Sequence, residues 1–222
     1  MSALMLAIEA STYAASVALA RGDTLVRATS VPMRDPRQER LMPAVAETLA
    51  DISPGDIDAI ICGAGPGSFT SLRIAASISK GIAVAGKKPL FAISSLVLMI
   101  AGMDRAAPSS RWLAVLDAMR GESFVQLVDV ASTGDVREAS EVRVMREGDI
   151  ASLAQETGAR VAGPGRATDV APHARGILRL LAHPALTTPV DLSSWEPNYG
   201  RLAEAQVRWE AAHGRALNAR PS

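Results

Sequence analysis

The sequence predicts an α/β protein of two lobes, each a mixed sheet flanked by helices, with the second lobe reduced. Three observations carry that expectation. Through the first hundred residues, short apolar runs alternate with longer segments of helical periodicity, in the order β-β-β-α-β-α-β-α. One apolar strand, Ala59–Cys62, passes through a glycine-rich turn straight into a long apolar helix. The string Ala-Gly-Pro-Gly occurs twice, at 64–67 and 162–165, each time after an apolar stretch, a match of only four small residues.

Taken in order, Leu4–Ile8 reads as a buried strand that ends in the polar turn Glu9-Ala10-Ser11-Thr12. Ala14–Ala20 is a second strand, Arg21-Gly22-Asp23 a hairpin turn and Thr24–Val31 a third strand. A three-strand meander leaving from an acid-Ser-Thr turn is how the actin-like ATPase (ribonuclease H-like) fold begins. After a Pro- and Arg-rich loop comes a helix over 40–50, with Leu41, Met42, Val45, Ala46 and Leu49 on one face. Pro43 fits near its start, where backbone N–H groups have no internal partner. Ser53–Asp56 is a turn before the strand at 59–62 and the glycine loop. The next helix covers 71–86, with Ser68 or Thr70 as its cap. Leu90–Ile93 is a strand, and Ser94 caps a third helix over 95–101. Residues 103–110, with Pro108 and two serines, read as a linker, which assigns 1–103 to the first lobe and 104–222 to the second.

The second lobe opens with a strand at Trp112–Leu116, a turn at 117–122 and a return strand at 123–128. A short strand follows at Glu141–Val144, then a helix capped by Asp149 and running to Thr157. His183-Pro184 and Thr188-Pro189 mark a loop region, and 202–212 reads as a helical tail.

Composition narrows the function classes. The chain has 222 residues, 48% of them apolar, and a formal net charge of zero. That balance argues against a protein that grips nucleic acid alone, since such binding draws on excess Lys and Arg. The small basic cluster Arg34, Arg37 and Arg40 reads as a solvated face. A single cysteine, Cys62, excludes an internal disulfide and fits a reducing cytosol. The N-terminal residues lack a basic signal region, and the longest apolar run, near 96–103, is too short to span a bilayer. The expectation is a cytoplasmic protein with no membrane contact.

The glycine loop is the most specific string. Gly63-Ala64-Gly65-Pro66-Gly67-Ser68-Phe69-Thr70-Ser71-Leu72-Arg73 places glycines and a helix start where backbone N–H groups could meet a phosphate. It is neither a P-loop, having no Gly-Lys-Ser/Thr, nor the dinucleotide fingerprint, since Ser68 stands where the third glycine belongs. On spacing alone it is also compatible with a plain connection. Gly-Pro-Gly-Ser-Phe-Thr followed by Leu-Arg-Ile resembles the hallmark of the bacterial dimerisation subunits of the tRNA threonylcarbamoyladenosine machinery, the TsaB/YeaZ family, glycoprotease-like proteins of the actin-like fold. Asp117-Ala118-Met119-Arg120-Gly121-Glu122 resembles that family's Asp-Ala-Arg-x-Gly-Glu element, with Met119 in place of Arg and Arg120 as the neighbouring substitute. Pro197-Asn198-Tyr199-Gly200-Arg201 is similar to its closing Pro-x-Tyr-x-Arg.

The resemblance implies a non-catalytic dimerisation and scaffold subunit. Its partners would be a metal-bearing catalytic homologue (TsaD-like), which moves threonylcarbamoyl onto N6 of the adenosine beside the anticodon, and an ATPase subunit (TsaE-like). tRNA would be met through the complex, and the chain could homodimerise when alone. Aligned on Pro89–Ile93, the catalytic homologue's His-x-x-x-His metal pair falls on Ser95 and Met99 here, and serine and thioether cannot replace two imidazoles. No metal is therefore expected. No cofactor is expected to be tightly bound, with ATP or ADP held, if at all, at the complex interface. In ATP-using members the first acid and its turn face phosphate and metal, so Glu9, Ser11 and Thr12 form a possible vestigial phosphate turn. By residue type alone Glu9 reads as an acidic strand end in water. The alternative function is an active ATP-dependent small-molecule kinase or ATPase, for which no general base is identifiable.

His173, His183 and His213 are scattered and read as surface or loop residues, and Cys62 as core. The residues singled out on the glycine loop are Gly65, Gly67, Ser68, Thr70 and Arg73. On the helix that follows, Ile74, Ala75, Ile78, Ile82 and Ala85 form a bulky row. Leu72, Ala76, Ser79, Ala83 and Gly86 form a row of mostly small side chains. The bulky row suits the chain's own sheet. The small row, with Leu41 and Val45 of the preceding helix, is expected to face a partner, because the family's known dimer surface is made by these two helices. Arg40–Ala50 covering the small row within the chain is the competing arrangement.

Overall fold

The computed structural model describes residues 2–33, 39–104 and 109–200. Arg34 and Arg37, part of the linker and the helical tail expected at 202–212 lie outside them, as do His213 and the closing Arg201.

The first sheet has five strands in the order β3-β2-β1-β4-β5: β1 (Leu4–Glu9), β2 (Ala14–Arg21), β3 (Thr24–Pro32), β4 (Ala59–Gly63) and β5 (Leu90–Ile93). β1 runs antiparallel to β2 and parallel to β4, and β4 parallel to β5. Every residue of β1 is buried, which is why it reads as an unbroken apolar run rather than an alternating one. The alternation still operates, but between two cores. Leu4, Leu6 and Ile8 point to the face covered by α1 (Leu41–Leu49) and α2 (Phe69–Gly86). Met5 and Ala7 point the other way, with Ala18, Ala20 and Ile61. That second face is paved mainly with alanine, and it leaves room for α3 (Ser95–Ala101), all seven residues of which are buried.

α3 is apolar all round because it has sheet on both sides. Its far side meets Trp112, Ala114 and Leu116 of β6 (Ser110–Asp117) and Phe124, Val128 and Val130 of β7 (Glu122–Val130). The second sheet runs β10-β6-β7-β8, with β9 also on β7: β8 is Val136–Glu138, β9 Arg143–Arg146 and β10 Arg160–Ala162. β6 is antiparallel to β7 and parallel to β10. The order repeats that of β4-β1-β2-β3, with α4 (Ile150–Thr157) placed before β10 as α1 is before β4. The duplication suggested by Ala-Gly-Pro-Gly is thus matched by topology, each string following the strand parallel to its lobe's first. After β10 the likeness stops: the described chain continues as short 3-10 turns, 174–179 and 184–186, and returns to the first lobe.

Several boundaries differ from the sequence reading. β8 was not expected, because Val-Arg-Glu is too short to show a period of two, and the strand expected at Glu141–Val144 is β9, two residues later. α2 starts at Phe69, two residues early. Ser68 occupies its N-cap position without a side-chain capping bond; its Oγ pairs instead with Ser71 Oγ at 3.1 Å. Ser94 and Asp149 hold the N-cap positions of α3 and α4, likewise without side-chain caps. Ser94 Oγ instead donates to Gln126 Oε1 across the two lobes, at 2.6 Å.

Candidate functional site

The predicted phosphate turn and the glycine loop meet beneath the start of α3. Glu9 is not the water-exposed strand end its residue type suggested; it is 0% exposed. Its Oε1 accepts from the Ser11 N–H at 2.6 Å and its Oε2 from Ser95 Oγ at 2.8 Å. Ser95 Oγ in turn accepts from the Gly65 N–H at 3.1 Å. The carboxyl occupies the space a side chain at Gly63 would need, so a Cβ there would overlap Glu9 Oε2. Burial raises the Glu9 pKa above the ordinary carboxylate range, against the lowering effect of its bonds to Ser11 and Ser95. Ser11 is buried as well, and its Oγ has no hydrogen-bond partner among the described residues. Thr12 is spent locally, its Oγ1 donating to Ala14 O at 3.0 Å.

The glycine loop is tied to β5, to Ser95 and to the Ser11 turn. The Ala64 N–H donates to Ile93 O at 2.7 Å, and the Ser68 N–H to Ser11 O at 2.7 Å. Gly65 lies at φ +87°, a region L side chains rarely adopt, and a Cβ there would run into Asn198 O. At Gly67 the limit is space: a Cβ would overlap Ser11 O and lie 2.7 Å from Ser11 Cβ. Thr70 is exposed in the first turn of α2. Arg73 is exposed too, with its guanidinium 5.3 Å from the centre of the Phe69 ring, whose other neighbour is Tyr199 at 4.6 Å. The closing segment lies over this loop. The Asn198 N–H donates to Ala64 O at 2.7 Å, and Lys80 Nζ donates to Trp195 O at 2.5 Å while stacking on its ring.

The row expected to face a partner lies inside, and the bulky row is split, with Ala75 and Ile82 buried in the core. Leu41, Val45, Leu72, Ala76, Ser79 and Ala83 are buried in the chain's own core, and Gly86 is half-buried against Pro54 and Lys88. Ala83 of the small row shares a core cluster with Ile60 and Cys62 of β4, and so do Ala75 and Ile82 of the bulky row. Ile74 and Ile78 of the bulky row are only half-buried, Ala85 is exposed, and Val84 beside them is 64% exposed. On α1, Met42 and Ala46 face water, not the core as expected, and Met42 is 48% exposed. The outward surface of the two helices therefore carries Met42, Pro43 and Ala46 with Ile74, Ile78, Gly81, Val84 and Ala85, interspersed with the exposed polar residues Glu47, Thr70, Arg73 and Ser77.

Ser95 and Met99, the aligned metal positions, are both fully buried. Among the described residues no group of three His, Cys, Asp or Glu is placed to hold a metal ion. His173 is half-buried in its loop, with Nε2 3.2 Å from Ser30 Oγ. His183 is not a surface residue: it is buried, Nδ1 accepts from the Ala185 N–H, and Nε2 pairs with Glu138 at 2.8 Å. That pairing holds the Glu138 carboxyl below its usual range. Cys62 is core, its thiol pushed up to about 12 by burial. In the second lobe Asp117 Oδ1 accepts from the Met119 N–H at 2.7 Å, the same acid-to-turn bond as Glu9 to Ser11, but here in water. Met119 and Arg120 both have positive φ in the β6–β7 turn. The sequence reading missed Gly63 as the socket for Glu9 and Ser95 as the bridge from Glu9 to Gly65. The only signal for either was a glycine ending an apolar strand and a serine just after a cap.

The fold and the site define an actin-like α/β protein in which Ser95 links the first-strand acid to the glycine turn. A family model described as TsaD, tRNA N6-adenosine threonylcarbamoyltransferase, matches residues 34–160, more than half of the chain, and the chain belongs to that family. It is 37% identical over 122 residues to the tRNA threonylcarbamoyladenosine biosynthesis protein TsaB of Escherichia coli, covering 54% of this chain and 52% of that one. It is 27% identical over 224 residues to the Bacillus subtilis protein of the same name, covering 92% and 97%. The match thus spans about half the length of the first relative and nearly all of the second. Among solved structures, YeaZ from Pseudomonas aeruginosa superposes with a TM-score of 0.71 at 26% identity, covering 89% of this chain and 99% of that one. A structure described as an uncharacterized protein with similarity to peptidase YEAZ from Pseudomonas aeruginosa gives 0.76 at 27%, covering 90% and 100%. Among the described residues no helix is long and apolar enough to cross a membrane.

Proposed function

We propose that this chain acts in tRNA threonylcarbamoyladenosine biosynthesis as a non-catalytic dimerisation subunit, docking a metal-bearing catalytic homologue through the outward faces of α1 and α2. The observation that carries the reading is the fate of the aligned metal positions. Ser95 and Met99 lie in the core, and the Ser95 hydroxyl is spent on Glu9 and Gly65. The docking face is supported by the apolar strip that α1 and α2 turn to water, centred on Met42 and Val84. In this reading the chain supplies no group to the transfer. It holds the catalytic homologue in its working form, an ATPase subunit joins the same assembly, and tRNA and any nucleotide are bound by the complex rather than by this chain alone.

The test is co-purification with the metal-bearing homologue from the same cell, followed by tRNA modification with each protein alone and with both. The expected result is a stable complex, with modification only when both are present. A chain that modifies tRNA, or turns over ATP, without its partner would overturn the reading.

A further inference from the structure

We infer that the phosphate end of the cleft, where the actin-like fold places a nucleotide, is closed in this chain, takes neither ATP nor ADP, and serves as a latch for residues 195–200. The inference stands on geometry and does not depend on the partner reading. A phosphate at a glycine turn is held by backbone N–H groups aimed at it. Here the Ala64, Gly65 and Ser68 N–H groups all donate inside the protein, to Ile93 O, Ser95 Oγ and Ser11 O. A magnesium-bound nucleotide also asks for an accessible carboxylate. Glu9 is fully buried, and both of its oxygens already accept. Ser11 is buried beside Glu9, so its side chain presents no group to a ligand in the cleft.

The cleft above the turn is filled by the chain itself. Asn198 is bonded to Ala64 and its carbonyl closes on Gly65, Tyr199 packs on Phe69, and Gly200 sits so close to the Phe124 ring that a Cβ there would overlap it. Phe69 belongs to the first lobe and Phe124 to the second, so residues 198–200 bridge the space a nucleotide would need. Glu9 and Ser95 position the turn to which this segment is bonded.

Two measurements on the full chain test the inference. Calorimetric titration with ATP or ADP and magnesium is expected to show no saturable binding to millimolar concentration. Binding weakened tenfold or more by Glu9→Gln would overturn the closure. Binding that Glu9→Gln leaves unchanged would place the nucleotide elsewhere and uphold it. Amide hydrogen exchange tests the latch: Ser95→Ala should speed exchange at Asn198 by tenfold or more, with Val161 in the second lobe unchanged. If Ser95→Ala does not fold, Glu9→Gln, the closest match in shape, is measured in the same way. A folded variant with parental protection at Asn198 would refute the latch.

Discussion

Ala83 and Val84 are neighbours on α2 with opposite surroundings, and a glutamate at each separates folding from association. Ala83 is 1% exposed, with the buried β4 beneath it; Val84 is 64% exposed. Ala83→Glu adds a long side chain to a packed site, costing about 1–3 kcal/mol, and buries a carboxyl, costing several more. A total above about 4 kcal/mol consumes much of the roughly 5–15 kcal/mol that holds a typical domain together. At about 2–4 °C per kcal/mol for a chain of this length, the melting temperature should fall by roughly 10 °C or more, or the variant should fail to fold. Val84→Glu places its charge in water, so the monomer should melt within about 0.5 kcal/mol of the parent. If α2 docks the catalytic homologue by this face, the same change removes a buried valine and strands a charge. That is about 3 kcal/mol of association, or roughly a hundredfold in Kd. The assay is thermal melting by circular dichroism, followed by gel filtration with the partner. A Val84→Glu chain that still co-elutes at parental affinity would refute the docking face, and an Ala83→Glu chain with parental melting would refute the packing.

Gly67→Ala should cost about 2–4 kcal/mol, because the new Cβ overlaps Ser11 O and breaks the Ser68 to Ser11 bond; urea unfolding measures it. Gly81→Ala meets nothing within 4 Å on the outer face of α2, so it should stabilise the isolated chain by about 0.5–1 kcal/mol, read as a higher urea midpoint. Glu9 has its folded pKa raised, so its contribution is fully present below the unfolded value of 4.5 and is lost as pH rises through the folded one. Glu9→Gln should therefore flatten the decline of stability with rising pH in that window, measured as melting temperature against pH. Glu138 is shifted the other way by His183, so its contribution holds above 4.5 and fades as pH falls through the depressed value; Glu138→Gln should reduce the loss of stability on acidification, seen in an acid titration of the melting temperature.

The first lobe was legible because its signals are long. Six consecutive buried residues in β1 and eighteen helical residues in α2 leave little choice of secondary structure. β8 was not, because three residues carry no period, and its place is set by pairing with β7 rather than by its own sequence. Facing was the harder problem on α2. Its apolar residues cover about twice the arc one sheet requires, so periodicity showed that two sides matter without showing which lies inside. Size was a poor guide: the small row lies inside, and of the bulkier row Ala75 and Ile82 lie inside while Ile74, Ile78 and Ala85 turn outward. Glu9 and Ser95 are 86 positions apart, and no local pattern in either turn announces their hydrogen bond. It depends on β1, β4 and β5 being neighbours, which is a property of the sheet.

The buried α3 has a mechanical consequence. Seven residues with sheet on both sides act as a wedge common to the two halves, and the 174–179 turn is pressed onto it so tightly that a Cβ at Gly176 would come within 2.6 Å of Leu98 O. Swinging one half away from the other would wet Leu96, Leu98 and Ile100 together, and at about 1.5–3 kcal/mol for each such side chain that excursion is rare. The molecule therefore behaves as one stiff block rather than a clamp. A protein that settles on its helical flank meets a preformed surface and loses little free energy to rearrangement.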